Sequence, residues 1–594
     1  MAGAVAVLGS LVGLAALLEL RLARADLTSA RAALQRAVDD PGALSSPDGR
    51  AAARAEIGAG VRLASVARQR VVGSAALSAV GVVPGLRGQR AGLVRLIEDS
   101  SAAATTGGNL LAKIDSMAER TQVRDGVVPV DGLRELDGEV RGAAGSIGTL
   151  VRGGVGLWGP LGEARREFDD VARSTSSRLL QASDALAAAG TFMGADGDRR
   201  YLVALQNNAE MRNQGAILSY VVTRFTGSPP RLVFDRSGSV LDLPLDRPSP
   251  TPIPAGTQEV FGFIQPTQLW QSVNATADFA FSGQAMVDMY RQSTGQSVDG
   301  VIAIDVPGLA ALLKAVGPVN VDGLAEPLTD TNVARILLHD FYQGLGPSSD
   351  QTIRKERLGD VLRAVIERLT TGAREAVALG RELGNAAQGG HVRLFSASDE
   401  EEQVFERTGL GGGPATSQPD RTFHLAVENR TATKLDYFVK PSVRQEIDVG
   451  KDGTAVVRTT VTVDNHAPKD GKPSYQLGPD GVSTDRPGDY LAWLLLWGPA
   501  GSAQFGGSVS ESGLSLSQYV VAVPAGERRE VTFQTVVPDA VRDGSVQLRL
   551  VPQPRLEAVA LEVRFRALDW RVDGATSWQG PWDRSLTLSW RVRR

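Results

Sequence analysis

The residues best suited to chemistry lie between Tyr201 and Gly215, in the sequence YLVALQNNAEMRNQG. The apolar run from Tyr201 to Leu205 predicts a short buried strand. Amide and charged side chains then crowd the positions from Gln206 to Gln214. Burying such groups is costly unless they pair with each other or with a ligand, and an open α/β sheet binds its ligand where its strands end. The run therefore predicts a site, although each residue by itself also suits a hydrogen-bonded corner.

Four residues of this run are the candidates for function. Asn207 and Asn208 offer amides for ligand binding, whereas Glu210 and Arg212 are the catalytic candidates. A carboxylate can orient a reacting group or act as a base, and an arginine can stabilise charge that develops in a transition state. The alternative is structural, with Glu210 and Arg212 satisfying buried backbone groups.

Further candidates stand at the ends of predicted helices and strands. Asp278, Asp299 and Asp305 suit Mg²⁺ if the fold brings them together, because this ion prefers oxygen ligands. Each also suits a turn or a helix cap. Arg354 and Lys355 open a predicted helix, whose first N–H groups favour an anion such as phosphate. The alternative for this pair is a solvated helix face.

The composition excludes several classes of protein. The chain has 594 residues, which is too long for one core, and a net charge of −4 without a basic stripe, so no nucleic-acid partner is expected. There is no cysteine, which removes disulfides, thiolate metal sites and cysteine nucleophiles. No two of the four histidines stand at the spacing of metal ligands.

The pattern along the chain predicts a multidomain α+β protein. Residues 1–25 are mainly apolar and predict a transmembrane anchor, with a signal segment as the alternative. Residues 26–195 repeat apolar side chains at helical spacing and predict a helical stalk or bundle. Residues 196–420 mix strand and helix patterns and predict an α/β domain. Residues 421–594 alternate apolar and polar residues and predict an immunoglobulin-like β-sandwich.

Tryptophans concentrate in the predicted sandwich, and their role is open between core and sugar-binding face. Aromatic rings can stack on apolar sugar faces, but buried core is the favoured interpretation. The run YLAWLLLW, Tyr490 to Trp497, is the expected exception, exposed or facing a partner. The six tryptophans are Trp493, Trp497, Trp570, Trp578, Trp582 and Trp590.

Three blocks of sequence carry a resemblance to known families. They are NNAEMRNQG, the segment VDGVIAIDVPGLAALLKAVGPV from Val298 to Val319, and IRKERLGDVLRAVIERL from Ile353 to Leu369. The chain resembles an uncharacterised family of bacterial cell-envelope proteins, a domain of unknown function with the motif Asn-Asn-Ala-Glu-Leu-Arg. Here Met211 replaces the leucine. The same blocks, over the middle third of the chain, are similar to the LytR-CpsA-Psr phosphotransferases, which attach glycopolymers to the cell wall.

This resemblance implies a LytR-CpsA-Psr-like central domain in a single-pass membrane protein whose bulk is extracytoplasmic. It implies that the protein binds a cell-wall or exopolysaccharide glycan on a polyprenyl-pyrophosphate carrier. If the protein is an enzyme, the resemblance implies that it transfers this glycan, with Mg²⁺ as the cofactor. By the same resemblance, Arg354 matches an arginine that binds the lipid-linked pyrophosphate. Whether the chain is an enzyme, which polymer it binds and its oligomeric state are open.

The alternative function is a non-catalytic surface scaffold or interaction protein. A concave pocket that joins Asn208, Glu210, Arg212 and Arg354 would favour ligand chemistry. A solvent-free network of hydrogen bonds at these residues would favour the scaffold. A deep apolar channel beside them would indicate a lipid chain.

Overall fold

The computed structural model describes residues 47–75, 86–153, 156–346, 352–481 and 484–594, with the single positions 29 and 78. The predicted anchor, residues 1–25, lies outside them. In the part of the chain that is described, no helix is both long enough and apolar enough to cross a membrane. The chain divides into two compact units. One is helical, and the larger one contains a five-stranded sheet and the two sheets of the last third of the chain.

The helical unit is built from long helices, α1 (Pro47–Gly73), α2 (Leu86–Arg120), α3 (Val130–Gly148) and α4 (Gly159–Phe192). Helices α1 and α2 share a small apolar core of Ala53, Ile57, Ala104 and Leu111. Arg165 of α4 is buried and forms ion pairs with Asp99 and Asp169, so the charges inside this unit are compensated. Two short strands, β1 (Gln122–Arg124) and β6 (Ala373–Glu375), lie where the chain passes between the units.

The α/β domain of the larger unit contains a five-stranded mixed sheet in the order β4–β3–β2–β5–β7. The parallel pair is β2 with β5, and the other three pairs are antiparallel. The bounds of the strands are β2 (Arg199–Met211), β3 (Gly215–Thr226), β4 (Arg231–Ser239), β5 (Gly300–Asp305) and β7 (Val392–Ser396).

Helices cover both faces of this sheet because its strands carry apolar residues on both sides. The bounds of the helices are α5 (Ala255–Phe261), α6 (Phe279–Thr294), α7 (Val306–Val316), α8 (Val333–Leu338), α9 (Thr352–Thr370), α10 (Ala376–Gln388) and α11 (Asp399–Thr408). One core joins Leu202 and Val301 of the sheet to Met286 of α6. A second core joins α7, α8 and α9 to Ala209.

The last third of the chain forms a β-sandwich of two sheets. One has the order β12–β15–β10–β9–β18–β20, and the other has the order β13–β14–β11–β8–β17–β21–β19, with β16 beside β17. The strands are β8 (Thr422–Asn429), β9 (Val439–Val449), β10 (Ala455–Asn465), β11 (Tyr490–Gly498), β12 (Ala503–Gln504), β13 (Val509–Glu511), β14 (Leu514–Val523), β15 (Arg528–Val537), β16 (Val541–Arg542), β17 (Ser545–Val551), β18 (Val559–Ala567), β19 (Arg571–Asp573), β20 (Ser577–Trp582) and β21 (Leu586–Arg593). These units confirm a multidomain α+β protein, whereas the immunoglobulin-like and LytR-CpsA-Psr-like assignments stay predictions.

Strand β11 corrects the prediction that YLAWLLLW is exposed. Tyr490, Leu494 and Leu496 point into the sandwich core, and Trp493 and Trp497 point to the opposite face. That face is also buried, because α5 and the segment before α6 cover it. The run therefore lacks alternation because it has an apolar environment on both sides.

The other tryptophans of the sandwich also belong to its core. Trp582 and Trp590 are buried, while Trp570 and Trp578 are partly buried and pack against the same cluster. The structure thus favours core over a sugar-binding face for this set.

We predict that Trp497→Ala destabilises the larger unit by about 3–5 kcal/mol, because it leaves a cavity between β11 and α5. The measurement is chemical denaturation followed by circular dichroism. Trp158→Ala is the matched control, since Trp158 is 59% exposed. Equal stability of the two variants would contradict the packing described for β11.

Candidate functional site

The polar run is the second half of strand β2, which corrects the predicted strand end at Leu205. The strand continues to Met211 and pairs with β3 through two irregularities in register. Gly215 is required at the return of the chain, because a Cβ atom there would lie 2.6 Å from the carbonyl carbon of Asn207. Polar residues can continue this strand because neighbouring elements supply hydrogen-bond partners for them.

Glu210 and Arg212 point into the contact between the α/β domain and the sandwich. Glu210 forms an ion pair with Lys434, and the two side chains are only 8% and 3% exposed. Arg212 lies 3.5 Å from the second oxygen of Glu210 and donates to the carbonyl oxygen of Asn429 at 2.8 Å. Burial lowers the pKa of Lys434, but Glu210 together with Tyr475 and Tyr342 outweighs burial and raises it, so the ammonium of Lys434 stays charged.

Asp436 makes a second connection of the same kind. Its carboxylate accepts from the backbone N–H of Met211 at 3.0 Å, from the hydroxyl of Tyr490 at 2.9 Å and from the guanidinium of Arg555 at 3.0 Å. Burial raises the pKa of Asp436, and these donors oppose that effect. The backbone of β2 is therefore held by a buried carboxylate of the sandwich.

Two amides complete this network. Gln553 donates to the carbonyl oxygen of Arg212 at 2.7 Å, and the amide of Asn213 lies 2.8 Å from Nε2 of His424. Burial lowers the pKa of His424 to about 4, so the ring is neutral at pH 7. We call the whole set the polar junction, formed by Glu210, Arg212, Asn213, His424, Lys434, Asp436, Gln553 and Arg555.

Glu428 borders the polar junction without joining it. It is fully buried on β8, and neither carboxyl oxygen has a hydrogen-bond partner among the described residues. Burial raises its pKa well above the ordinary value, although Arg212 opposes this. Burial therefore favours the protonated form of this carboxyl group.

Asn207 and Asn208 point to other places. The amide of Asn207 donates to the hydroxyl of Tyr342 at 2.7 Å. Asn208 donates to Asp305 at 2.9 Å and accepts from the backbone N–H of Val306 at 3.0 Å. The four candidates of the motif are thus divided, with Glu210 and Arg212 in the polar junction and the two asparagines beside helices of the α/β domain.

The structure does not bring the three candidate metal ligands together. Asp278 caps α6 by accepting from the N–H groups of Ala280 and Phe281, and burial raises its pKa. Asp299 accepts from the N–H of Arg200 before β5, whereas Asp305 caps α7 after β5, so the strand separates them by about 20 Å. Among the described residues, no group of three His, Asp or Glu side chains can hold a metal ion.

Asp305 instead pairs with a histidine that the sequence analysis did not select. Nδ1 of His391 lies 2.7 Å from the carboxylate of Asp305. Burial lowers the pKa of His391, but the charge and hydrogen bond of Asp305, helped by Asp583, outweigh burial and raise it. His391 therefore carries a positive charge at a higher pH than an isolated histidine does.

Arg354 and Lys355 fall within α9, but their side chains lie outside the described residues. Their predicted role in phosphate binding stays a prediction.

A cavity lies between the ends of β2 and β5 and helices α7, α8 and α9. Its volume is about 50 Å³. Gln206, Asn207, Asp305 and Tyr342 contribute the main polar groups. The apolar lining consists of Leu205, Leu218, Ile304, Val306, Leu309, Leu337, Leu338, Phe341, Leu358 and Leu362. Since one water needs about 10–15 Å³ on this scale, the cavity accepts a few atoms of an apolar group.

The sequence analysis identified the polar motif but not the distant residues that pair with the candidate residues. Lys434, Asp436, Arg555 and His391 lie more than 150 residues from the motif along the chain, and nothing in their local sequence marks them.

The fold and these contacts define the class of the protein, a multidomain α+β protein whose α/β domain is joined to a β-sandwich through buried charges. Residues 196–342 match the model of a family described as "Protein of unknown function (DUF4012)". This match covers about a quarter of the chain and includes the whole motif together with most of the cavity lining. It supports the expected similarity to a domain of unknown function. No curated protein and no solved structure matches the chain.

We predict that Lys434→Met destabilises the larger unit by about 3 kcal/mol, because it removes the buried ammonium that pairs with Glu210 and leaves only the more distant Arg212 beside this carboxylate. The double variant Glu210→Gln, Lys434→Met is expected to cost less than the sum of the two single variants. Chemical denaturation gives each free energy of unfolding.

The matched control is Lys440→Met, which breaks an exposed ion pair with Glu557. Such pairs contribute about 0–1 kcal/mol. If Lys434→Met costs no more than Lys440→Met, the polar junction does not stabilise the fold.

We also predict that His391 makes stability depend on pH. Because its pKa is raised in the folded protein, its stabilising effect is complete below about pH 6.5, the ordinary histidine value, and is lost as the pH rises through the folded value. His391→Gln should flatten the free energy of unfolding over this window. His466→Gln, at an exposed position, is the control and should keep the wild-type slope. An unchanged slope in His391→Gln would refute the prediction.

Proposed function

We propose that the α/β domain binds the lipid part of a lipid-linked envelope glycan in the cavity between the sheet and α7, α8 and α9. The observation that carries this proposal is the composition of the cavity, with leucine and phenylalanine along its walls and Gln206, Asn207, Asp305 and Tyr342 at the end of β2. An apolar wall with a few convergent polar groups is the usual form of a ligand site.

The size of the cavity restricts what it can hold. Its volume of about 50 Å³ suits a short apolar segment, such as the part of a polyprenyl chain next to its phosphate. A longer segment requires the helices to separate further from the sheet. The proposed ligand therefore places its first apolar carbons in the cavity and its polar group beside Asn207 and Tyr342.

We propose that the domain binds this ligand and that Glu210 and Arg212 do not catalyse its transfer. Both side chains are buried, and both are bonded to residues of the sandwich. A general base must reach the proton that it removes, and a transition-state stabiliser must reach the reacting atoms. Enclosed in the polar junction, these two residues reach neither, so their support for a phosphotransferase is weak.

The proposed setting is the one that the family resemblance implies, a single-pass membrane protein with its bulk outside the cell and a cell-wall or exopolysaccharide glycan as partner. The second candidate function is a non-catalytic surface scaffold. The buried network of the polar junction favours it, because this network joins the α/β domain to the sandwich.

The test is binding of a fluorescent polyprenyl phosphate to the full chain in detergent. Leu358→Trp adds bulk at the cavity wall and is expected to weaken binding about tenfold or more, equivalent to about 1.4 kcal/mol. Leu241→Trp makes the same change at a residue that is 62% exposed and outside the cavity, so it should bind as the wild type does.

Glu210→Gln distinguishes the contribution of β2 to the polar junction from its contribution to the cavity. It should lower stability and leave the affinity for the polyprenyl phosphate unchanged. Absence of saturable binding by the wild type, or equal binding by Leu358→Trp and Leu241→Trp, would reject the lipid site and leave the scaffold.

A further inference from the structure

One sheet of the sandwich is open along part of its outer edge. Strand β14 pairs with β11 on its inner side, from Ser515 to Val523. On its outer side, the short strand β13 pairs only with Leu514, Ser515 and Leu516. Among the described residues, no strand pairs with the outer side of β14 beyond Leu516. We call the segment Ser517–Val523 the open edge.

The chain turns into β13 directly beside this segment, and therefore covers no more of it. Strand β13 begins at Val509, which lies opposite Leu516. Just before it, Gly506 and Gly507 have φ angles of +90° and +98°, a backbone conformation that other residues rarely adopt. The outward N–H and C=O groups of the open edge thus lack the ladder partners of a central strand, and a further strand can supply them.

Apolar side chains flank the open edge on both faces of the sheet. Val520 lies opposite Trp493 of β11 and is 46% exposed. The exposed ring of Phe263 lies 5.6 Å from the ring of Trp493, on the same face. On the other face, Tyr519 is 38% exposed and packs against Phe533. An added strand directs its side chains to the two faces in alternation, so it buries apolar surface on each of them.

The open edge also lacks the features that prevent exposed strands from pairing. Edge strands of monomeric proteins are commonly protected by a charged residue, especially lysine, or by a proline. The open edge has the sequence SQYVVAV, which contains neither. Strand β15, at the edge of the opposite sheet, is covered by β12 only near its carboxyl end, and it carries the exposed charges Arg528, Arg529 and Glu530. One edge of the sandwich is therefore protected by charge, and the other is not.

We propose that the open edge is a dimerisation surface, at which β14 of one copy pairs in antiparallel orientation with β14 of a second copy. A two-fold axis brings the same segment of each copy together, and no like charges meet because this segment is uncharged. Pairing along its full length places each Val520 opposite the partner's Val520. The surface is separate from the cavity and does not rest on the proposed lipid binding.

The test is sedimentation equilibrium of the full chain in detergent, from nanomolar to high micromolar concentration, with amide hydrogen exchange measured over the same range. We expect an equilibrium between monomer and dimer, with slower exchange in Ser517–Val523 as the dimer forms. Val520→Lys should raise the dissociation constant of the dimer about tenfold or more, because two like charges then lie directly opposite each other.

The matched control is Leu568→Lys, which makes a similar change at a residue of the sandwich that is 65% exposed and lies after β18, so it should dimerise as the wild type does. An equimolar mixture of Val520→Lys and Val520→Glu should associate more tightly than either variant alone, because opposite charges face each other in the mixed dimer. This rescue is specific to a two-fold pairing centred on Val520.

Three results would each overturn the proposal. They are a wild type that stays monomeric at every concentration, a Val520→Lys variant that dimerises as tightly as Leu568→Lys, and a mixture that associates no more tightly than its components. If a Val520 variant does not fold, the exchange measurement on the wild type decides. Exchange in the open edge that stays equally fast when the protein is dimeric excludes this surface.

Discussion

The structure depends on the burial of charged groups between the α/β domain and the β-sandwich. Removing a charge from water costs several kcal/mol, and this cost is recovered only when a well-placed partner and further hydrogen bonds are present. Glu210 forms an ion pair with Lys434, and Asp436 forms one with Arg555. The Glu210–Lys434 pair crosses the contact, and Asp436 also accepts from the backbone N–H of Met211 in β2, so both groups depend on how the two domains pack.

This constraint changes what the motif means. A run of amides and charges at the end of a strand is typical of a ligand site, yet Glu210 and Arg212 are enclosed by protein. The same strand also borders the cavity, through Gln206 and Asn207. Strand β2 therefore links two roles, because its last residues bind the sandwich while the residues just before them shape the end of the cavity.

The charges of the polar junction are paired with one another. Its two carboxylates, Glu210 and Asp436, lie against the three cations Arg212, Lys434 and Arg555. Burial raises the pKa of the neighbouring Glu428, whose carboxyl oxygens have no hydrogen-bond partner among the described residues.

The sequence by itself determined the local elements. Asp299 and Asp305 were expected at the ends of helices or strands, where β5 and α7 begin, and the alternation beyond residue 421 predicted the sandwich strands. The polar run from Gln206 to Gln214 was also recognised as exceptional. These features are local, since the period of the side chains reports which face of an element is buried.

The tertiary structure decided which residues meet, because a pattern reports burial but not the identity of the neighbour. YLAWLLLW has no alternation, and only the cover provided by α5 shows that its outer face is buried. Lys434 and Asp436 reach β2 across more than 200 residues of chain, and Arg555 binds Asp436 from within the sandwich. Contacts at such separations follow from the packing of two domains, and no short-range rule contains them.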